Sequence, residues 1–308
     1  MILIIFLYAV LASTYTFAKA ILLYAKPFFT IGLRMTIAGL FFLVFQYFSN
    51  GKKIIFRRKD FWLFAQVMLF NIYFAFVPEF WALSKGISST KAVFMYSITP
   101  FIVAIFSYFL KLEKFSLQKI LGMVVGFIGM IPILMTHDKL SAIATEVLKI
   151  SIPELVLLFA IISAAYGWFP VKKLINKGYS LPMINGVSML SGGILAFGTA
   201  FVFEGFETIK VFNIVPFCGY LFLLIFASNV VFYNLYGFLL KRYSFTLLSF
   251  VGFLTPIFGA VYGWLFLKES VTWHYGFSLV CVIIGLCLFY RQELRIKRCE
   301  NMQIQKRK

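Results

Sequence analysis

The chain has 308 residues, of which 62% are hydrophobic and 13% charged, and its formal net charge is +18. So little polar surface excludes a soluble globular domain, and apolar runs of about 20 residues, long enough to cross a bilayer, recur from end to end. The positive charge sits mainly in short loops and the tail, where it serves membrane topology and anionic lipid headgroups rather than nucleic acid.

The first apolar run, Ile2 to Tyr24, lacks the basic leading segment and the small-residue cleavage site of a signal peptide, and it reads as the first span. Further spans are predicted at 28–49, 61–83, 92–110 and 118–135. A connecting segment at 136–152, with room for a short amphipathic helix, leads to spans at 153–171, 180–203, 215–238, 246–267 and 273–290. Each must be a helix, because lipid satisfies no free backbone group. The expected fold class is an all-α membrane protein of ten transmembrane helices, with five-helix halves at 1–135 and 153–291 and a basic cytoplasmic tail at 292–308.

Lys and Arg orient it. With the N-terminus in the cytoplasm, Lys52, Lys53, Arg57, Arg58, Lys59, Lys111, Lys114, Lys119, Lys172, Lys173, Lys177, Lys241, Arg242 and the tail share one side. The other side receives Lys26, Lys85, Lys91, Lys139, Lys149, Lys210 and Lys268, so both termini are expected in the cytoplasm. Cys218, Cys281, Cys287 and Cys299 lack the paired spacing of a zinc site or disulfide framework, and the two histidines, His137 and His274, lie where no proton relay is expected. No cofactor or metal is expected.

Charges inside spans cost roughly 2.5–3.5 kcal/mol each on insertion scales, which makes each a candidate for function. Three stand out: Lys19, Arg34 and Glu79. They lie at matching depths near the outer ends of the first three spans, so they can meet around one solute. Alternatively they snorkel outward or pair off to hold helices together. Arg34 offers a planar fork suited to a carboxylate, with Lys19 to assist, and Glu79 suits an ammonium or sulfonium group. Tyr15, Phe17, Tyr73, Phe76 and Trp81 lie around them, with faces that attract cations and stack on planar rings, though Trp and Tyr near span ends also serve as interface anchors. In the second half, Tyr166, Trp168, Asn185, Asn229, Tyr233 and Asn234 are the polar candidates, either fixing a solute's hydrogen-bonding edges or binding helices to one another. Charges in one half and neutral amides in the other suit a solute with one charged end and one neutral polar end.

Displacing the second half by 156 positions (85 to 241) aligns Lys85 with Lys241, Ser88 with Ser244, Thr99-Pro100 with Thr255-Pro256, Glu113 with Glu269 and Gly129 with Gly285. Five spans per half then makes the halves an inverted repeat, the symmetry that alternating access uses. Glu113 and Glu269, beside Lys114 and Lys268 at span ends, read as caps and surface partners. Pro78, Pro100, Pro170 and Pro256 permit kinks, and Gly122-x-x-x-Gly126 and Gly259-x-x-x-Gly263 permit close helix packing. An enzyme embedded in the membrane would want a Gly-x-Ser-x-Gly, a His-Glu-x-x-His or paired intramembrane Asp, and a channel would want repeated rings of lining groups; neither pattern occurs. The absence of a P-loop excludes ATP-driven pumping within the chain.

The repeated segment, Ser84 to Gly129 with Thr99-Pro100 and Leu112-Glu113, then Leu240 to Gly285 with Thr255-Pro256 and Lys268-Glu269, resembles the drug/metabolite transporter superfamily in its EamA-type ten-helix form. That resemblance implies helices arranged around a central cavity, with the fourth, fifth, ninth and tenth spans as scaffold and the others lining a solute path. A narrower resemblance, carried by chain length, the AT-rich codon bias and Thr14-Tyr15-Thr16-Phe17-Ala18-Lys19, is to the S-adenosylmethionine/S-adenosylhomocysteine transporters of obligate intracellular bacteria. It implies a multi-pass protein of a bacterial cytoplasmic membrane whose partners are a small-molecule solute and the lipid bilayer, with no obligatory protein partner. The alternative expectation is a proton-coupled exporter of amino acids or drugs, with Glu79 as the coupling acid.

Overall fold

The computed structural model describes residues 2–49, 56–87, 89–113, 116–134, 151–205, 211–267 and 276–289. The connecting segment expected at 136–152 lies outside these apart from its last two residues, and the expected tail at 292–308, Glu269, His137 and His274 lie outside them altogether. Every regular element among the described residues is helical.

The long apolar runs give α1 (Ile2–Ile21), α2 (Pro27–Ser49) and α3 (Arg58–Ser84). The run expected at 92–110 is interrupted. It forms α4 (Ser89–Tyr96) and α5 (Thr99–Phe109), with a turn just before Thr99-Pro100. Proline disfavours helical backbone at the residue before it and brings no N–H, and both effects suit a fresh helix start. Next come α6 (Leu117–Leu134), α7 (Ile152–Asn176), α8 (Leu181–Phe203) and α9 (Ile214–Leu239). The same interruption recurs before Thr255-Pro256, where α10 (Phe245–Val251) passes through a 3-10 turn at Gly252–Leu254 into α11 (Thr255–Leu267). A last apolar helix, α12, spans Gly276–Phe289. Seven stretches among the described residues are long and apolar enough to cross a membrane, and Leu117–Gly129, Phe245–Gly259 and Gly276–Phe289 are shorter apolar helices.

The helices gather into two units that do not follow the halves of the chain. One comprises Met1–Tyr96 and Ile150–Arg242, the other Ser97–Lys149 and Tyr243–Lys308.

In the first unit α2 and α8 pack along their lengths. Gly32 meets Phe197, Gly193 meets Thr36, Gly39 meets Leu190 and Gly186 meets Leu43, so one number falls as the other climbs and the helices run antiparallel. Small residues let the backbones close: a Cβ on Gly39 would lie 2.4 Å from the Leu190 nitrogen. Both ends of the pair are tied. The Glu204 carboxylate, just past α8, accepts the Phe28 and Phe29 backbone N–H groups at 2.8 and 3.1 Å, capping α2. At the opposite end Ser180, which caps α8 by accepting the Met183 N–H, donates its hydroxyl to Gln46 at 2.6 Å. The Asp60 carboxylate pairs with Lys177 and accepts the Tyr179 hydroxyl at 2.9 Å, tying the start of α3 to the turn between α7 and α8. Glu154 pairs with Lys91 and completes a capping box with Ser151 at the start of α7.

In the second unit α6 and α12 make a like antiparallel contact, Gly122 lying against Gly285 and Phe289, and Gly129 against Cys281. Glu113 accepts the Thr246 backbone N–H at 3.3 Å and so caps α10, the role its span-end position suggested. Gly126 packs against the Phe250 and Phe253 rings, whereas a Cβ on Gly259 would meet no described atom within 4 Å.

Candidate solute-binding site

Two of the long helices depart from α-winding at mid-length. Val67–Tyr73 in α3 and Ile225–Phe232 in α9 are π-wound, with the Phe74 N–H reaching back to the Leu69 carbonyl and the Tyr233 N–H to the Ser228 carbonyl. Such wide turns are rare and cluster at functional positions, because returning to α-winding leaves a carbonyl without its helical partner. Side chains take up carbonyls in both segments. The Tyr233 hydroxyl donates to the Asn71 carbonyl at 2.8 Å, and the Asn234 amide donates to the Val230 carbonyl at 2.8 Å.

Around these segments the first unit collects its buried polar groups. Arg34 on α2 is 1% exposed. Its Nε donates to Asn229 Oδ1 on α9 at 2.9 Å, and its guanidinium carbon stands 4.8 Å from the centre of the Phe76 ring and 5.9 Å from that of Phe80. Arg34 Nη2 is buried and meets no hydrogen-bond partner among the described residues. The rest of the Asn229 amide faces sulfur, with Met35 Sδ at 3.3 Å and Met189 Sδ at 3.5 Å.

Glu79 on α3, 6% exposed, is hydrogen-bonded by the Tyr96 hydroxyl and lies near enough for its charge to act on Arg34. Tyr15 on α1 stacks obliquely on Tyr96, with ring centres 5.4 Å apart. Trp168 on α7 lies 5.1 Å from Tyr233 and 4.2 Å from Tyr236, and the Tyr233 ring in turn stands 6.2 Å from Phe76. Arg34, Glu79, Asn229, Tyr15 and Trp168 are thus linked through Tyr96, Tyr233 and Phe76 into one group. Both signs of charge occur in it, beside flat aromatic faces.

The other sequence candidates make contacts of their own, and Asn234 touches the group through the Asn229 carbonyl. Lys19 donates to the Leu83 and Ile87 carbonyls at 2.7 and 3.1 Å, where it caps the C-terminal end of α3 with a favourable charge. Trp81 sits under Lys85 at the same helix end, 5.8 Å from its ammonium. Tyr73 bonds Thr199 at 2.6 Å and Tyr166 donates to Gln66 at 3.2 Å, so both join helices. Asn185 donates to Asn234 at 3.3 Å, and Asn234 is committed to carbonyls of its own helix.

Asn71, Tyr96 and Tyr236 were not singled out from the sequence. The amide of Asn71 in the run Leu69-Phe70-Asn71-Ile72 was the available signal.

These features define the class: an all-helical chain with repeated apolar helices long enough to cross a membrane, and a buried polar site among them. The chain belongs to the EamA-like transporter family, whose model matches residues 1–135 and 151–291. It is therefore a multi-pass membrane protein of a family of small-molecule transporters. An S-adenosylmethionine/S-adenosylhomocysteine transporter of Chlamydia muridarum (strain MoPn / Nigg) is 30% identical over 293 residues, 92% of this chain and 89% of that protein. A transporter of the same name from Chlamydia trachomatis serovar D is 30% identical over 288 residues, 92% of this chain and 86% of that one. A solved crystal structure with 16% identity superposes with a TM-score of 0.71 over 96% of both chains, which shows a shared fold.

Proposed function

We propose that the chain carries S-adenosylmethionine across a bacterial cytoplasmic membrane by alternating access, in exchange for S-adenosylhomocysteine. The carrying observation is Arg34, a buried guanidinium with Nη2 unpaired among the described residues and the Glu79 carboxylate near it. A zwitterionic amino-acid end suits that pair: its carboxylate accepts from Nη2, and Glu79 faces the ammonium or the sulfonium. The Trp168, Tyr233 and Tyr236 rings offer flat faces to an adenine. The names of the Chlamydia relatives supply the same solute class.

Ten spans in two inverted halves, with both termini cytoplasmic, complete the reading. In its support, the helices that the 156-residue shift makes equivalent (85 to 241), α2 with α8 and α6 with α12, run antiparallel within their units, and π-winding occurs in both α3 and α9. Uptake of labelled S-adenosylmethionine into proteoliposomes, accelerated by S-adenosylhomocysteine inside, is the expected result. Uptake no faster than into protein-free liposomes overturns the proposal. The buried Glu79 favours one second reading, a proton-coupled exporter of amino acids or drugs. Flux that follows an imposed pH gradient and ignores solute on the far side selects it.

A further inference from the structure

Asn71 is 1% exposed, and neither its Oδ1 nor its Nδ2 meets a hydrogen-bond partner among the described residues. The other buried amides nearby are committed, Asn229 to Arg34 and two methionine sulfurs, Asn185 and Asn234 to one another and to carbonyls. An amide left with both ends open inside a membrane helix carries a desolvation cost that a matching solute edge would relieve.

Its surroundings say what edge. The Asn71 carbonyl accepts the Tyr233 hydroxyl, which anchors α3 beside the Trp168–Tyr233 ring pair. Gly167, the residue before Trp168, approaches so closely that a Cβ there would lie 2.6 Å from the Asn71 N, Cα and Cβ. A planar ring stacked on this aromatic wall would bring its rim toward the amide. A primary amide presents a donor and an acceptor side by side. That is the complement of a 6-aminopurine, which shows an acceptor at N7 and a donor at N6; a 6-oxopurine shows two acceptors and mismatches it.

We infer that Asn71 is a specificity-determining residue that reads the N6/N7 edge of a 6-aminopurine solute, an inference that rests on the S-adenosylmethionine reading above. Such edges are told apart by Asn in a bidentate contact, and discrimination against the wrong base is on the order of tenfold or more.

The test is uptake of labelled S-adenosylmethionine into proteoliposomes, with S-adenosylhomocysteine and its 6-oxo counterpart, S-inosylhomocysteine, as competitors. In the wild type the 6-oxo compound should need about tenfold more to compete equally. Asn71→Ala should bring the two within about twofold by weakening the adenosyl competitor alone, because no edge-reading amide remains. Asn71→Leu keeps about the size but offers neither donor nor acceptor, so it should lose the same discrimination and decides the matter should the alanine variant fold poorly. A variant that still discriminates tenfold, or one in which both competitors weaken equally, overturns the inference and leaves Asn71 a helix-packing residue. A wild type that takes up S-adenosylmethionine yet treats both competitors alike overturns the edge reading alone. A wild type that takes up none overturns the transport proposal with it.

Discussion

Arg34 gives its Nε to Asn229 at 2.9 Å across α2 and α9, while its Nη2 stays unpaired among the described residues. One side chain is thus held by the protein at one corner and open at another, as a carboxylate clamp requires. Asn229→Ala should leave the chain folded but let the guanidinium swing. Hydrogen bonds to charged groups contribute about 1.5–3 kcal/mol, so the apparent KM for S-adenosylmethionine should rise on the order of tenfold. Arg34→Lys should not rescue, since an ammonium cannot form the two-pronged contact. Initial rates over a range of solute concentrations check both, and an unchanged KM in either variant removes Arg34 from carboxylate binding.

Glu79 is the carboxylate placed to meet the solute's positive charge, with Tyr96 holding it by a hydrogen bond. Glu79→Gln keeps the shape and the hydrogen bond while removing the charge. Uptake of S-adenosylmethionine should fall at least about tenfold, the scale of a desolvated charge contact of a few kcal/mol. Competition by S-adenosylhomocysteine, which lacks the sulfonium, then tells which cation Glu79 faces. Unimpaired uptake by that variant retires the cation role.

Much of this was visible in the chain itself. The long spans follow from apolar length alone, and Arg34 and Glu79 stand out as charges within apolar runs. Lys19 gives the same signal and has a different fate, because it lies one turn from a helix end where the α3 carbonyls are open to it. Depth in a span does not say which partner lies across it. The breaks before Thr99-Pro100 and Thr255-Pro256 are marked by proline, yet hydrophobicity runs through them undisturbed. Asn71 is harder to see. A lone neutral amide in an apolar run is ordinary, and its significance comes from π-winding and from the lack of a partner among the described residues, both products of packing between distant segments.

The α2–α8 contact should be intolerant of bulk. Gly39→Ala places a methyl 2.4 Å from the Leu190 nitrogen, backbone that cannot yield cheaply, and overpacking of this kind costs about 1–3 kcal/mol. On α8 itself, a methyl added at Gly198 would meet no described atom within 4 Å. Gly198→Ala should therefore be neutral or stabilise by about 0.4–1 kcal/mol through reduced freedom of the unfolded chain. Thermal melts in detergent should separate the two in opposite directions. Equal melting temperatures would mean that the helices do not close on Gly39.

Glu204 should act as a cap supplied from another helix. Pro27 opens α2 without an N–H, and the next two N–H groups both go to the Glu204 carboxylate. Removing it by Glu204→Ala should cost about 1 kcal/mol, as for other N-terminal caps, whereas Glu204→Gln keeps an acceptor and should cost less. Burial raises the Glu204 carboxyl above its ordinary value of 4.5, and the Phe28 and Phe29 N–H groups oppose that rise without cancelling it. A folded value above the unfolded one means that the folded state binds the proton more readily. The resulting stability is fully present below about 4.5 and is lost as pH climbs through the raised folded value. The wild type should therefore lose melting temperature across that window relative to Glu204→Gln, which has nothing there to titrate. Parallel melting curves for the two proteins over the same pH range would mean that the carboxylate is solvated in the membrane-bound protein, and the cap would then be a surface contact of little weight.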